Sequence, residues 1–441
     1  MKIKKSKNMQ ISPYILIILS FLITILFGTL LLSLPFSKND GVEVSFIDTL
    51  FISTSASCVT GLSTLTSIVD TYSIFGKVVL VILMEIGGLS IITLASFVLM
   101  LFGRKMGFSS KLFLTSALNQ NTPRGILSLL KKIVIVSFSI QTVFIIINTF
   151  ILYKYYGDFF ETLGVAIFHT ASSFNNAGFD IFGSSSMIEY HSDVLLSLST
   201  VLAITLGGLG FIVLAELISL PFNKHLSFHS KAVLLISSIL IFIPMIVFKF
   251  SMNISWLEAL FTSVTARTAG FTVIDFSVCM RENIAYPLML ILMFVGASPV
   301  STGGGVKTTT FFTIIVTIIY SSVGKKPRAF KRSIGSEAIL KSFTLVFISL
   351  AYILLLSIGL KAFNSDLTYQ DLFFEAFSAF ATVGVSMGIT PLLSIGSKIL
   401  ICITMFIGRV GPLSFVSIWN NSFMEEKSAN VKYVEEKIII G

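Results

Sequence analysis

Eight apolar runs of twenty residues or more, near 13–35, 74–102, 126–153, 194–220, 231–250, 286–323, 338–362 and 395–420, constrain this chain more than any other feature. About twenty apolar residues at 1.5 Å each match the ~30 Å hydrocarbon layer of a bilayer, so each run reads as a membrane span. Only 12% of the 441 residues are charged and 54% are hydrophobic, against roughly 25% charged in soluble domains. A compact soluble interior cannot hide that much apolar surface, which excludes a water-soluble fold. The first run, after MKIKKSK, is too long for a signal-peptide core and has no small-residue cleavage site, so it reads as a retained span. Cys58, Cys279 and Cys402 lie far apart and imply no disulfide. The expected fold is an all-α polytopic membrane protein.

The spans form pairs. Within each pair lies a shorter, half-apolar stretch ending in Gly, and the pairs are joined by short basic links. Aligned on that Gly, the four stretches read FISTSASCVTGL, FHTASSFNNAGF, LFTSVTARTAGF and FEAFSAFATVGV, with Gly61, Gly178, Gly270 and Gly384 in register. Ten residues earlier stands Phe51, Phe168, Leu260 or Phe374, a fixed offset that fits a short re-entrant helix. Each second span carries small residues 24 to 29 positions after the Gly, at Gly87-Gly88, Gly207-Gly208, Gly296-Ala297 and Gly408. Four tandem span/pore-loop/span repeats are expected, at 1–105, 106–225, 226–335 and 336–441, with pseudo-fourfold symmetry around one central pore.

The net charge of +9 resides in the loops. The termini and the three links carry 21 Lys+Arg and 5 Asp+Glu, the opposite face 8 and 15, and the interior Glu85, Glu216, Lys307 and Arg409. By the positive-inside rule both termini are cytoplasmic, and no nucleic acid is needed to explain the basic balance.

Non-helical backbone at membrane depth survives only buried in protein or lining water. Four Gly-centred loops around one axis can do the second, because inward carbonyls replace the hydration shell of a cation without a full charge, and Gly reaches the required φ without steric cost. Val59 and Thr60, Asn176 and Ala177, Thr268 and Ala269, and Thr382 and Val383 precede the glycines, and none is charged. A divalent-cation filter calls for an acidic ring and an anion pore for a basic one. Potassium or sodium is left, held at the filter as cargo.

CVTGL, NNAGF, RTAGF and TVGV resemble the degenerate filter segments of the Trk/Ktr/HKT superfamily of potassium transporters, most closely the Ktr membrane subunit, and the resemblance covers nearly the whole chain. It implies that Gly61 goes with potassium selectivity, where Ser would go with sodium permeation. It also implies a homodimer with one pore per chain and a cytoplasmic ring of Rossmann-type, nucleotide-binding regulatory subunits. The expected function is potassium uptake across the cell membrane, with sodium as a candidate regulator and no other cofactor or enzymatic chemistry. A sodium-permeable relative and a sodium- or proton-coupled carrier are the alternatives.

The run at 286–323 is 38 residues, about 57 Å as one helix, so it must break, at GASPVSTGGGVKTTT. Pro299 removes a backbone donor, and Gly303, Gly304 and Gly305 are flexible. A loop over 296–310 is expected below the filter, and the resemblance makes it a gate. Facing an aqueous vestibule, its backbone and Ser301, Thr302, Thr308 and Thr309 would find water. A break in one span only argues against a carrier built on paired broken helices. Lys307 is either pore-facing or snorkelling. Arg409, 25 residues past Gly384, and Glu85, 24 past Gly61, share one depth and could pair, and the resemblance also places Arg409 at the pore. The four histidines lack metal-ligand spacing, GGLG at 207–210 and GGG at 303–305 lack the context of phosphate loops, and no Ser/His/Asp grouping suggests a protease. Ile438, Ile439 and Ile440, at the end of a charged tail, are expected to dock on the second subunit.

Overall fold

The computed structural model describes residues 13–101, 124–183, 186–279 and 284–411, with a few isolated residues between 102 and 123. The tail with Ile438–Ile440 lies outside these residues, as do residues 412–420 of the last predicted span.

The described residues are predominantly helical. In chain order the main helices are α1 Pro13–Ser33, α2 Phe46–Ser57, α3 Ile74–Leu89, α4 Ile91–Leu101, α5 Ile126–Tyr156, α6 Phe159–Phe174, α7 Val194–Leu209 and α8 Phe211–Asn223. There follow α9 Phe228–Ser251, α10 Trp256–Thr265, α11 Ala285–Phe294 and α12 Thr308–Ser322; a hairpin of β1 Arg328–Ala329 and β2 Arg332–Ser333; and α13 Ser336–Phe363, α14 Tyr369–Ala381 and α15 Ile395–Val410. The long helices α1, α5, α9 and α13 are apolar over membrane-crossing length and expose large side chains outward, among them Phe27, Phe150, Phe250 and Phe347.

The short helices α2, α6, α10 and α14 sit inside. Each starts on a capping side chain: Ser45 accepts from Asp48 N–H, Asp158 from Glu161, Ser255 from Glu258 and Thr368 from Asp371. The acid three residues past each cap favours the positive N-terminal end of its helix. Serines tie two of them to their spans, Ser53 Oγ donating to the Ile25 carbonyl (2.7 Å) and Ser263 Oγ to that of Ile241 (2.7 Å). Phe51, Phe168 and Phe374 are buried as the offset requires. In the third repeat Leu260 is only half-buried and the core position passes to Phe261. The turn after the helix explains the shift. Thr60, Ala177 and Val383 donate to carbonyls five residues back, whereas Ala269 donates to Thr265, four back, which shortens the turn by one residue.

The second spans depart from the expected continuous helices. α3 and α4 bend by 97° at Ser90 (φ 70°), and α7 and α8 by 103° at Gly210 (φ 93°). α15 likewise ends at Gly411 (φ 91°). The third repeat is therefore not alone in breaking, and the argument against a carrier from an unmatched broken span falls. What sets the third repeat apart is the long non-helical stretch between α11 and α12. The small residues explain why the second helices stop near these points. A Cβ at Gly207 or Gly408 would fall on the Phe174 or Phe380 carbonyl, so these helices press against the C-terminal ends of α6 and α14.

Candidate functional site

The C-termini of α2, α6 and α14, and the turn after α10, deliver the four Gly segments to one place. In each segment the residue two before the Gly is left-handed: Val59 (φ 57°), Asn176 (59°), Thr268 (76°) and Thr382 (51°). The Gly is left-handed too, at 96°, 70°, 83° and 91° for Gly61, Gly178, Gly270 and Gly384. The residue between has negative φ, and this alternation turns successive carbonyls toward one side of the strand. Three β-branched residues and one amide in the left-handed region carry strain of order 1 kcal/mol or more each, which persists only where surroundings over-determine the backbone.

The four segments abut in sequence order and close on themselves. A Cβ on Gly61 would lie 2.5 Å from the Ala177 carbonyl oxygen, and one on Gly178 would lie 2.8 Å from that of Ala269. One on Gly270 would lie 2.9 Å from the Val383 oxygen, and one on Gly384 would meet Thr60 and lie 3.0 Å from the Gly61 Cα. Backbone blocks each of these positions, so only Gly fits.

Hydroxyls behind the segments hold them, and the sequence reading missed these residues. Gly61 N–H donates to Ser55 Oγ (3.0 Å) and Gly384 N–H to Ser378 Oγ (3.1 Å), while Thr265 Oγ1 donates to the Phe271 carbonyl (2.6 Å). The signal was available: Ser55, Ser172 and Ser378 all stand six residues before their Gly. Further out, Glu375 accepts from Ser386 Oγ (2.8 Å) and from Thr390 Oγ1, fastening the chain that leaves the fourth segment. Above Gly384 a cavity of 330 Å³ opens between the first and fourth segments, lined among others by Leu62, Ser63, Thr66 and Ser386.

Residues 296–310 lie directly beneath. Cβ atoms on Gly303 and Gly304 would touch the Thr268 and Thr382 hydroxyls, and Thr302 Oγ1 donates to the Phe174 carbonyl (3.1 Å) and lies near Asn176. The loop is open to water only in part, as at the half-buried Ser301 and Thr309. Ser298, Thr302 and Thr308 are fully buried, and its backbone is bonded to the bent second helix of repeat 2. Ser298 N–H donates to the Gly208 carbonyl (3.0 Å), Thr302 N–H to Gly207 (3.3 Å), and Phe211 N–H to Val300 (2.8 Å). Gly296, Ala297 and Val306 are buried as well, and Pro299 packs on Gly210. The bend at Gly210 exposes carbonyls that a straight helix would use internally, and the loop satisfies them.

The charged groups take partners other than those expected. Arg409 does not meet Glu85. Its Nη1 donates to the Thr302 carbonyl, and its Nη2 to the carbonyls of Gly87 and, at 3.3 Å, Gly88, so it bridges loop and first repeat. Glu85 instead accepts from Gln141 Nε2 (3.2 Å) and Asn175 Nδ2 (2.9 Å). Identical depth allowed the pair, but α3 turns Glu85 toward α5 and α6. Lys307 turns back onto its own loop, where Nζ donates to the Gly303 (2.7 Å) and Gly304 (3.3 Å) carbonyls. Glu216 is not interior but accepts from Ser227 N–H (2.9 Å) at the start of α9, whereas Arg267, absent from the four charges expected inside, is buried and donates to Ser237 Oγ (3.2 Å). Among the described residues no cluster of His, Cys, Asp and Glu could hold a metal.

Residues 6–245 and 233–426 match the family described as TrkH, cation transport protein. The chain belongs to this family. Among its relatives, the Ktr system potassium uptake protein B of Bacillus subtilis is 34% identical, covering 100% of this chain and 99% of that protein. The potassium/sodium uptake protein NtpJ of Enterococcus hirae is also 34% identical, covering 99% of each. In fold the chain is similar to the crystal structure of the potassium transporter TrkH from Vibrio parahaemolyticus, with a TM-score of 0.72 over 95% of this chain and 87% of that one, at 19% identity. This TrkH-family chain is thus a multi-pass membrane protein of a cation-transport family.

Proposed function

We propose that this chain takes up potassium through one pore, with Val59–Gly61, Asn176–Gly178, Thr268–Gly270 and Thr382–Gly384 as its filter and 296–310 as its gate. The observation that carries this reading is the closed succession of the four Gly segments, each stopped by the backbone of the next, with the loop seated under them. Such a ring is what four tandem repeats related by pseudo-fourfold symmetry, at 1–105, 106–225, 226–335 and 336–441, would build.

The alternating φ along each segment aims carbonyls at the axis, where they replace the water shell of a monovalent cation. The C-terminal ends of α2, α6 and α14 lead straight into it, and the partial negative charge of a helix C-terminus adds to the carbonyl field. Beneath, Arg409 holds the loop across the path. A guanidinium at mid-membrane costs ~2.5–3.5 kcal/mol or more, and three charge-assisted bonds to carbonyls offset this while the loop is closed. Opening must break the bonds on one side of the fork, by drawing the loop from Thr302 or α3 from Gly87.

Relatives named as Ktr system proteins support a regulatory partner. In the proposal it is a ring of Rossmann-type, nucleotide-binding subunits on the cytoplasmic side of a homodimer in the cell membrane, both termini facing the ring, with sodium as a candidate regulator. Sodium permeation is the second reading, favoured by equal identity to a potassium/sodium uptake protein. Flux of rubidium and sodium into proteoliposomes of the purified chain separates the two. Rubidium uptake that exceeds sodium uptake and is blocked by potassium is expected; equal fluxes of both, or uptake that requires a proton gradient, would overturn the proposal.

A further inference from the structure

The link between α12 and α13 is a built object. Residues 323–335 fold as an antiparallel hairpin in the register Arg328↔Ser333 and Ala329↔Arg332. Its turn places Phe330 (φ 46°) and Lys331 (φ 62°) in the left-handed region, where two-residue hairpins ordinarily use Asn-Gly or Asp-Gly. A bulky aromatic residue stays there only when something else holds it. The Phe330 ring lies parallel to Phe312 (centroids 6.2 Å, interplanar 8°) and edge-on to Phe228 (5.9 Å, 77°), and those two rings contact each other at 6.1 Å. Phe312 sits one turn past Thr308, where the 296–310 loop becomes α12. The hairpin tip thus reaches back along α12 almost to the end of the loop.

The remainder of the hairpin is uniformly cationic. Lys325, Lys326, Arg328, Lys331 and Arg332 are all exposed, no acid lies between Val323 and Ser336, and among the described residues none of the five is in an ion pair. Around them the surface is apolar, with Ile318, Ile319 and Val323 at the end of α12 and Leu340 in the first turns of α13 more than half exposed. A short link between two spans cannot leave the bilayer surface, so these charges lie within a Debye length of the headgroups.

We propose that the Lys325–Arg332 hairpin binds anionic lipid headgroups of the cytoplasmic leaflet, and that Phe330 passes this occupancy to the 296–310 loop. The first half stands on the hairpin alone; the second rests on the reading of that loop as the gate. Basic charge set in an apolar surround fits a lipid surface better than an acidic protein face, which would leave the apolar rim unused.

Native mass spectrometry of the full-length chain with phosphatidylglycerol and phosphatidylcholine tests the first half. Replacing the five cations (Lys325→Gln, Lys326→Gln, Arg328→Gln, Lys331→Gln and Arg332→Gln) should lower phosphatidylglycerol retention at least about tenfold and leave phosphatidylcholine retention unchanged. Equal retention by variant and native chain overturns the site. Displacement of the lipid by equimolar inorganic phosphate would instead make it a phosphate site. Loss of a cytoplasmic protein partner with lipid retention intact would make it a protein-docking site; either outcome overturns the proposal. For the second half, rubidium flux is compared in vesicles with and without phosphatidylglycerol. Phe330→Gly, which tolerates the left-handed turn, should keep lipid retention yet remove the dependence of flux on phosphatidylglycerol. Dependence that survives in Phe330→Gly, or is missing in the native chain, overturns the coupling. Absence of flux under all conditions would count against the pore reading, while the retention result stands by itself.

Discussion

Replacing Gly61 by Ser is expected to weaken potassium preference and admit sodium. The new Cβ would stand 2.5 Å from the Ala177 oxygen and 2.9 Å from the Gly178 Cα, and ordinary contact begins at 3.4 Å. The shortfall against the oxygen is 3.4 − 2.5 = 0.9 Å, and both neighbours are backbone, with no rotamer to give way. The second segment must move, and with it the carbonyl of Ala177. A side chain at φ 96° adds strain of about 1–3 kcal/mol. If about 1.4–2.8 kcal/mol of the discrimination between the two ions is lost with the displaced carbonyl, the permeability ratio falls roughly ten- to a hundredfold. The comparison is Gly41→Ser: Gly41 is also left-handed (φ 78°) but nothing lies within 4 Å of its Cβ position, so this variant carries the backbone strain without the collision. The assay is growth of a potassium-uptake-deficient host at low potassium, together with rubidium and sodium flux into proteoliposomes. Unchanged selectivity in a folded Gly61→Ser protein, or an equal loss in Gly41→Ser, would refute the reasoning.

Three further outcomes concern the loop, Arg409 and the cap of α7. Deleting Gly303–Val306 removes the backbone seated beneath Thr268 and Thr382 and both acceptors of Lys307, so flux without any partner should exceed that of the intact chain; flux no higher, in a protein shown to be folded, would mean that the loop is an inert kink. Arg409→Lys keeps the charge but loses the two-sided fork, so it should raise partner-free flux nearly as much as Arg409→Gln, and native-like flux in the Lys variant would show that charge alone is the barrier. Asp193, which caps α7, is pushed up by burial but held net below the usual carboxylate range by hydrogen bonds from Lys154, Tyr155 and the Leu196 amide. A lowered folded value stabilises above the unfolded value, about 3.9, and the benefit disappears as pH falls through the folded value. Asp193→Asn should therefore lower the melting temperature at neutral pH and converge with the native chain in strong acid, whereas a pH-independent difference would assign the effect to packing.

Periodic features were legible in the sequence because each leaves a repeated mark. Long apolar runs report spans, since a bilayer demands internal satisfaction of every backbone group. Four glycines in register mark four equivalent segments, since no other residue fits against a neighbouring backbone. The capping pairs Ser45/Asp48, Asp158/Glu161, Ser255/Glu258 and Thr368/Asp371, and the serines six residues before Gly61, Gly178 and Gly384, were written there as plainly. Partner choice was not. Depth along a helix is a one-dimensional quantity and put Glu85 and Arg409 at one level, but the rotation of α3 and α15 decides what a side chain meets. It sent Glu85 to Gln141 and Asn175, and Arg409 to three carbonyls. The bends at Ser90 and Gly210 escaped detection because IGGLSIITL and LGGLGFIVL carry no charge and are mostly apolar; apolarity records burial or lipid contact and is blind to direction. The loop at 296–310 likewise looked solvent-dependent by composition. Only the tertiary structure supplied the carbonyls of Gly207 and Gly208, freed by one of those bends, that let its backbone be satisfied without water.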